Sequence, residues 1–227
     1  MHVAIIMDGN RRWARERNLP IIEGYRRGVV ALREAISACP GLGVDVLTVF
    51  GFSFENWSRE PHEVAMLMEL CAFVARREAG PLRRKNAQVR IIGDISAFPP
   101  SVRAALQRLV DETANNTGTI LNLALNYSGR REMCDVMRDI AREVAAGRLD
   151  PEAIDEDAIE SRLSTAGLAD PDLLIRTGGE YRVSNFLLYQ LAYTELYVTP
   201  IYWPEFNGET FALALSKFND RSRRFGA

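Results

Sequence analysis

The 227-residue chain is poor in the side chains that build metal cages, disulfide scaffolds and histidine triads. Three cysteines, Cys39, Cys71 and Cys134, lie far apart with no CxxC. An odd, scattered set excludes a disulfide framework and reads as small buried hydrophobes in a reducing compartment. Two histidines, His2 and His62, leave little for a zinc site and no evident Ser-His-Asp triad. No apolar run approaches the roughly 20 residues of a membrane span, and Met1–Ile6 lacks the basic start and long apolar centre of a signal peptide. A cytoplasmic location is expected, and resting contact with a membrane surface stays open. GxxxxGK[ST] is missing, which argues against a P-loop enzyme, and GxGxxG is missing, which removes support for a dinucleotide. No DDxxD occurs, so the all-helical prenyl synthases with paired aspartate motifs are not indicated. The chain is slightly acidic, 28 basic against 30 acidic side chains, and carries no nucleic-acid-binding motif, so nucleic acid is not an expected partner.

What is present is an ordinary globular composition with an unusual choice of base. Hydrophobic residues make up 47% and charged residues 26%, which fits one domain over residues 1–227 with one sizeable core. Of the 28 bases only Lys85 and Lys217 are lysines. Between Arg11 and Arg33 stand seven arginines against Glu16 and Glu23, whereas Asp150–Glu160 holds six acids and no base. Arginine grips phosphate oxygens bidentately, so such a cluster suits a phosphorylated ligand, the alternative being a solvated helix face.

Short apolar runs alternate with helical patterns. Val3–Met7, Val46–Phe52, Val89–Gly93, Ile120–Asn126, Leu173–Arg176 and Glu195–Val198 read as six strands. Gly24–Cys39, Pro61–Arg84, Ser101–Asn115, Arg130–Ala146, Asp157–Ser164 and Glu209–Phe218 read as helices, with Pro61 suited to a first turn. The alternation predicts an α/β fold with a mainly parallel sheet, and ligands then bind beyond the carboxyl ends of the strands. Those ends carry polar, glycine-bearing loops: Asp8–Trp13, Ser53–Arg59, Asn126–Arg130 and Arg176–Asn185.

Asp8-Gly9-Asn10-Arg11-Arg12 reads as a strand-to-helix turn whose backbone N–H groups and Arg12 suit an anion. Asp8 would repel a phosphate unless Mg²⁺ bridged the two; the alternative is a plain Asp N-cap. Arg176, Arg182 and Ser184 offer a second anion site, or simply a glycine turn with surface arginines. Two anion sites and a metal suggest a reaction between two phosphorylated substrates. Leu67, Leu70, Cys71 and Val74, on one helix, are candidates for an apolar lining or for plain core.

The segments VAIIMDGNRRW (3–13), FSFENWSR (52–59), NYSGR (126–130), RTGGEYRVSN (176–185) and Arg224-Phe225-Gly226 closely resemble the cis-prenyltransferases, typified by undecaprenyl diphosphate synthase. The resemblance spans nearly the whole chain. It implies a single-domain, six-stranded parallel fold with flanking helices and a hydrophobic tunnel, a homodimer, Mg²⁺, and isoprenoid diphosphate substrates. By resemblance Asp8 and Asn56 are catalytic, and Asp8 and Glu195 hold the metal. Gly9, Asn10, Arg11 and Arg12 hold the allylic diphosphate. Ser53, Glu55, Trp57 and Arg59 lie in a loop that closes over the substrates. The second substrate, normally isopentenyl diphosphate, falls to Ser53, Arg59, Arg176, Arg182, Ser184, Arg224 and Gly226, with the last two reaching a partner subunit. The implied reaction is a prenyl transfer giving a Z-prenyl diphosphate. Tyr181 stands where histidine is common, and Ile21 and Tyr25, where the family has arginine and histidine, motivate an alternative. That alternative is head-to-middle condensation of dimethylallyl diphosphate with dimethylallyl or geranyl diphosphate, giving a branched lavandulyl-type product. A non-catalytic subunit of a heteromeric prenyltransferase fits less well, because Asp8, Asn56 and Glu195 are all present.

Overall fold

The computed structural model describes residues 1–220. Six strands form one sheet in the order β3-β4-β2-β1-β5-β6: β1 (His2–Ile6), β2 (Val46–Ser53), β3 (Gln88–Ile92), β4 (Ile120–Tyr127), β5 (Leu173–Arg176) and β6 (Glu195–Val198). Every pairing is parallel. Helices α1 (Asn10–Glu16), α2 (Ile21–Ala38), α3 (Pro61–Arg84), α4 (Pro100–Thr113), α5 (Gly129–Ala145), α6 (Glu156–Glu160) and α7 (Gly208–Asn219) make the connections and cover the faces. Among these helices none is long and apolar enough to cross a membrane.

Successive strand side chains point to opposite faces, and β1 shows why its sequence has no polar alternation. Val3 and Ile5 face the larger core with Leu47 and Val49, Ala35 of α2, Ala75 of α3 and Phe211 of α7. Ala4 and Ile6 face the other side, against Ala124, Phe186 and Leu187. The cysteines divide. Cys39 is buried and Cys71 half-buried, as expected of small hydrophobes, but Cys134 is exposed on α5, because its helix position falls on the solvent side.

Alternation misses α1 and the first turn of α2, because Asn10–Glu16 is mostly polar and buries only Ala14. Both elements follow β1 directly and set its outlet. The chain leaves β1 toward β2 on one side, whereas β5 leads to β6 on the other. The crevice between the carboxyl ends of β1 and β5 is therefore the topological switch point.

His2 opens β1 inside the protein, only 2% exposed. One ring nitrogen meets the Ala169 carbonyl at 2.6 Å and the other the Thr48 hydroxyl at 2.7 Å, and Asn122 also donates to Thr48 at 3.3 Å. Burial lowers the imidazole pKa, outweighing the Ala169 carbonyl and the Asp172 charge, which favour the cation. The unfolded chain therefore binds the proton first. The stability due to this group is present above about pH 6.5 and is lost as pH falls toward the folded pKa, at up to about 1.4 kcal/mol per pH unit. Denaturant unfolding between pH 7 and pH 5 should show a steeper loss for the native chain than for His2→Gln. Equal slopes would mean that His2 is not the group responsible.

Candidate active site

Asp8 leaves β1 in a tight turn, its N–H bonded to the Ile6 carbonyl at 2.9 Å. Gly9 follows at φ 108°, the left-handed region that suits glycine, and a Cβ there would lie 2.6 Å from the Tyr202 ring. Gly9, not Asp8, occupies the N-cap of α1, and no side chain caps that helix. The simple N-cap alternative for Asp8 is thereby removed. Its carboxylate instead faces two arginines from different parts of the chain: Oδ2 accepts from Arg176 Nη2 at 2.8 Å, and Oδ1 lies 3.2 Å from Arg12 Nη2. Burial by itself pushes the Asp8 carboxyl up. The Arg176 hydrogen bond and charge, joined by Arg12, outweigh that and hold it below the usual carboxylate range. Asp8 is therefore ionised at neutral pH.

Arg176 closes β5 and is 5% exposed. Besides Asp8 it donates to the Ser184 hydroxyl at 2.8 Å and to the Arg182 carbonyl. Ser184 and Asn185 sit at φ 50° and 63°, in the left-handed region that costs a non-glycine residue energy, so this loop is held in place by its contacts. Glu180, given no role by its sequence, bridges the two expected anion sites. Its Oε1 is 3.2 Å from Arg12 Nη1 and its Oε2 is 2.6 Å from Arg182 Nη1. Only the fold reveals this, since Arg12 and Glu180 are far apart in sequence.

The four loops are tied to one another. Asn185 donates to Glu55 and to Ser128, both at 2.8 Å, and accepts from the Arg130 N–H at 2.9 Å. Trp57 donates to Asn126 at 2.8 Å. Ser53 and Asn56 form a reciprocal capping box for the short 3-10 helix Phe54–Ser58, with the Asn56 carbonyl oxygen accepting from the Ser53 N–H at 3.1 Å. Arg11 diverges from Arg12: its Nη2 lies 3.6 Å from the buried Glu63, which also pairs with Arg59 at 3.1 Å. Glu63 is a second residue the sequence did not single out. Tyr25, on α2, joins the same group by hydrogen bonds to Glu63 and Arg59.

Asp8, Asn10, Tyr25, Ser53, Asn56, Arg59, Arg176, Arg182 and Ser184 line one cavity of about 750 Å³. Its deeper walls are apolar, and the expected Leu67, Leu70, Cys71 and Val74 are all among them, with Leu106 and Leu109 of α4. Burial pushes the Cys71 thiol up to about 11, so it is a neutral wall group rather than a nucleophile. The cavity thus joins a charged mouth to a hydrocarbon-like interior.

Two expectations lie elsewhere. Glu195 does not join Asp8 within this chain. The register pairs it with Leu173, and Leu173 with Val3, at the amino edge of the sheet, whereas Asp8 lies beyond the carboxyl edge. That separates them by roughly 10 Å or more along the strands. Arg224 and Gly226 lie outside the described residues. Tyr181 is present in the loop but 86% exposed, and Ile21 is the first residue of α2.

A divalent cation is compatible with the mouth. Asp8 supplies an ionised carboxylate, whereas the buried Asn10 Oδ1, which has no hydrogen-bond partner, lies against Gly28 of α2. One carboxylate is too few for a protein cage, and the described residues hold no cluster of three or more acidic, histidine or cysteine ligands. It suits Mg²⁺, which is usually held by one or two carboxylates plus substrate phosphates.

The prenyltransferase family model for undecaprenyl diphosphate synthases matches residues 6–226. A ditrans,polycis-undecaprenyl-diphosphate synthase ((2E,6E)-farnesyl-diphosphate specific) of Pseudomonas putida is 50% identical over 99% of this chain and 90% of its own length. An isoprenyl transferase of Agrobacterium fabrum is 49% identical over 100% of this chain and 92% of its own. Among solved structures, lavandulyl diphosphate synthase from Lavandula x intermedia in complex with dimethylallyl diphosphate superposes with a TM-score of 0.97 at 37% identity, covering 100% of this chain and 98% of that one.

The fit of Asn10 depends on two glycines one turn apart on α2. A Cβ on Gly24 would overlap the Asn10 carbonyl oxygen outright, and one on Gly28 would lie 2.5 Å from Asn10 Oδ1. Helix propensity alone favours Gly24→Ala by about 1 kcal/mol. Overpacking against backbone costs about 1–3 kcal/mol and displaces α1. Gly24→Ala should therefore destabilise the protein and weaken diphosphate binding. A thermal melt showing net stabilisation would contradict the slot.

Proposed function

Since the chain belongs to the undecaprenyl diphosphate synthase family of prenyltransferases, we propose that it joins an allylic diphosphate to isopentenyl diphosphate, releasing diphosphate and leaving a Z-prenyl diphosphate. The observation that carries this reading is the cavity itself, a mouth with Arg59, Arg176 and Arg182, and with Arg12 beside Asp8, opening into a wall of Leu67, Leu70, Val74, Leu106 and Leu109. A head group with several negative oxygens and a branched hydrocarbon tail matches both ends at once.

The allylic diphosphate lies at Gly9–Arg12, where Gly9 permits close backbone approach and Arg12 can turn from Glu180 and Asp8 to the phosphate oxygens. Asp8 would hold Mg²⁺, which would offset the charge that builds on the leaving diphosphate as the C1–O bond breaks. Arg176, Arg182 and Ser184, with Ser53 and Arg59 across the mouth, hold the second diphosphate so that its alkene faces C1. The π electrons of that alkene form the new C–C bond as the allylic C–O bond breaks, and the neighbouring carbon then gives a proton to the departing diphosphate. The pairing of Asp8 with the buried Arg176 keeps the anion-binding groups oriented before substrate arrives. The apolar walls keep water from the developing allylic cation. Asn56 belongs to the proposed catalytic set because it lines the same mouth.

We infer a homodimer from the large apolar side chains exposed at and beside β6, the last strand in the order among the described residues, where Tyr193 and Leu196 are 78% and 50% exposed. A partner covering that edge would also be the route by which Glu195 and the Arg224-Phe225-Gly226 segment could reach a site.

The branched-product alternative keeps one observation in its favour, the near-complete superposition on a lavandulyl diphosphate synthase. Product identification decides between the two. Mass and NMR analysis of incubations with Mg²⁺ and dimethylallyl, geranyl or farnesyl diphosphate should show Z-prenyl products only when isopentenyl diphosphate is added. A branched product from dimethylallyl diphosphate without it would replace the first reading with the second. Asp8→Ala should lower turnover by at least about 10³-fold while circular dichroism stays native, and near-native turnover would remove Asp8 from the mechanism.

A further inference from the structure

Arg59 stands in the cavity wall shared with Asp8 and Asn10. Its position is set from outside its own loop. Nη1 donates to the Tyr25 phenol oxygen at 2.6 Å and to Glu63 Oε1 at 3.1 Å, and the phenol O–H donates to the same Oε1 at 3.0 Å. The three groups close a triangle that joins α2, the start of α3 and the residue after the Phe54–Ser58 helix. Glu63 is 3% exposed, and a buried carboxylate must be paired and hydrogen-bonded to be tolerated. Arg59 supplies the charge, Arg11 faces Oε2 at 3.6 Å, and Tyr25 supplies the remaining donor.

A cation at position 25 would compete with Arg59 for Glu63. The phenol adds a bridge without adding charge, so Arg59 remains the principal counterion and is committed to one geometry. Burial, added to by the Glu63 charge and bond, pushes the Tyr25 hydroxyl up to about 12 against the pull of Arg59 and Arg11. It therefore stays protonated and can keep donating to Glu63 while accepting from Arg59.

We propose that Tyr25 is a positioning residue: with the buried Glu63 it holds the Arg59 guanidinium at the cavity mouth, ready for a diphosphate head group. The inference rests on the reading of this mouth as a diphosphate site. It assigns Tyr25 a purpose of its own, acting through Arg59 rather than by touching substrate.

The test compares the native protein, Tyr25→Phe, Arg59→Ala and the double variant, using inorganic pyrophosphate in calorimetry and the KM and kcat for both diphosphates. Tyr25→Phe should weaken pyrophosphate binding roughly three- to tenfold, less than the full worth of a hydrogen bond to a charged group because Glu63 still holds Arg59, and raise KM more than it lowers kcat. In the Arg59→Ala background the same change should cost less than about twofold, because the group it acts through is gone. Glu63→Gln, similar in shape, should shift binding in the same direction and covers the case of a Tyr25→Phe chain that fails to fold. A loss below about threefold in Tyr25→Phe, or a penalty of about twofold or more in the Arg59→Ala background, would overturn the assignment. Absence of pyrophosphate binding by the native protein would instead overturn the diphosphate site itself, and this inference with it.

Discussion

The contact between Asp8 and Arg176 is the constraint around which the site is arranged. Both side chains extend from the ends of neighbouring parallel strands, at the one crevice where the chain runs in opposite directions from the sheet. Arg176 is almost wholly buried, so its charge must be met by the protein. Asp8 meets it, Ser184 and the Arg182 carbonyl take further donors, and the strained Ser184–Asn185 backbone is fixed as a result. The Asp8–Arg12 and Arg176–Asn185 loops are therefore oriented by the same pair.

Around that pair the mouth has a common pattern: arginines facing carboxylates that the protein itself provides. Arg12 shares Asp8 and Glu180, Arg182 takes Glu180, and Arg59 and Arg11 face Glu63. Where these pairs are more exposed, as at Glu180, each is worth little, and its arginine can leave the carboxylate at small cost. Where the carboxylate is buried, as at Glu63, the pair is structural and fixes its arginine. The difference in burial separates arginines that can move to substrate from those that are already placed for it. Below the mouth the cavity wall changes to leucine, valine and alanine, where a hydrocarbon tail gains free energy by leaving water.

The strand pattern was legible because both faces of the sheet are covered, which leaves continuous apolar runs such as Val3–Ile6. Helix α3 was legible from Pro61 to Arg84, since its apolar stripe and its proline mark the same boundary. Helix α1 was not, because only Ala14 is buried and its reason for being helical lies in Gly9 and in the slot on α2. In the site, the residues grouped by local motif, Asp8–Arg12 and Arg176–Ser184, do meet. Glu180 and Glu63 could not be singled out, because a lone glutamate has no local signature and acquires its role from partners far along the chain. Glu195 shows the converse, a residue that suits a metal by type but that strand register carries to the other end of the sheet.

The sequence by itself determined the class of fold, the edge of the sheet at which the polar loops gather, and the arginine-rich character of those loops. These are properties of period, length and residue type, which act locally. Only the tertiary structure decided which carboxylate faces which arginine and which of those pairs are dry. It also decided that Tyr25 bonds to both Arg59 and Glu63. Charge pairing and desolvation depend on distance and burial in space, and neither is set until β1, β2, β4 and β5 have been laid side by side.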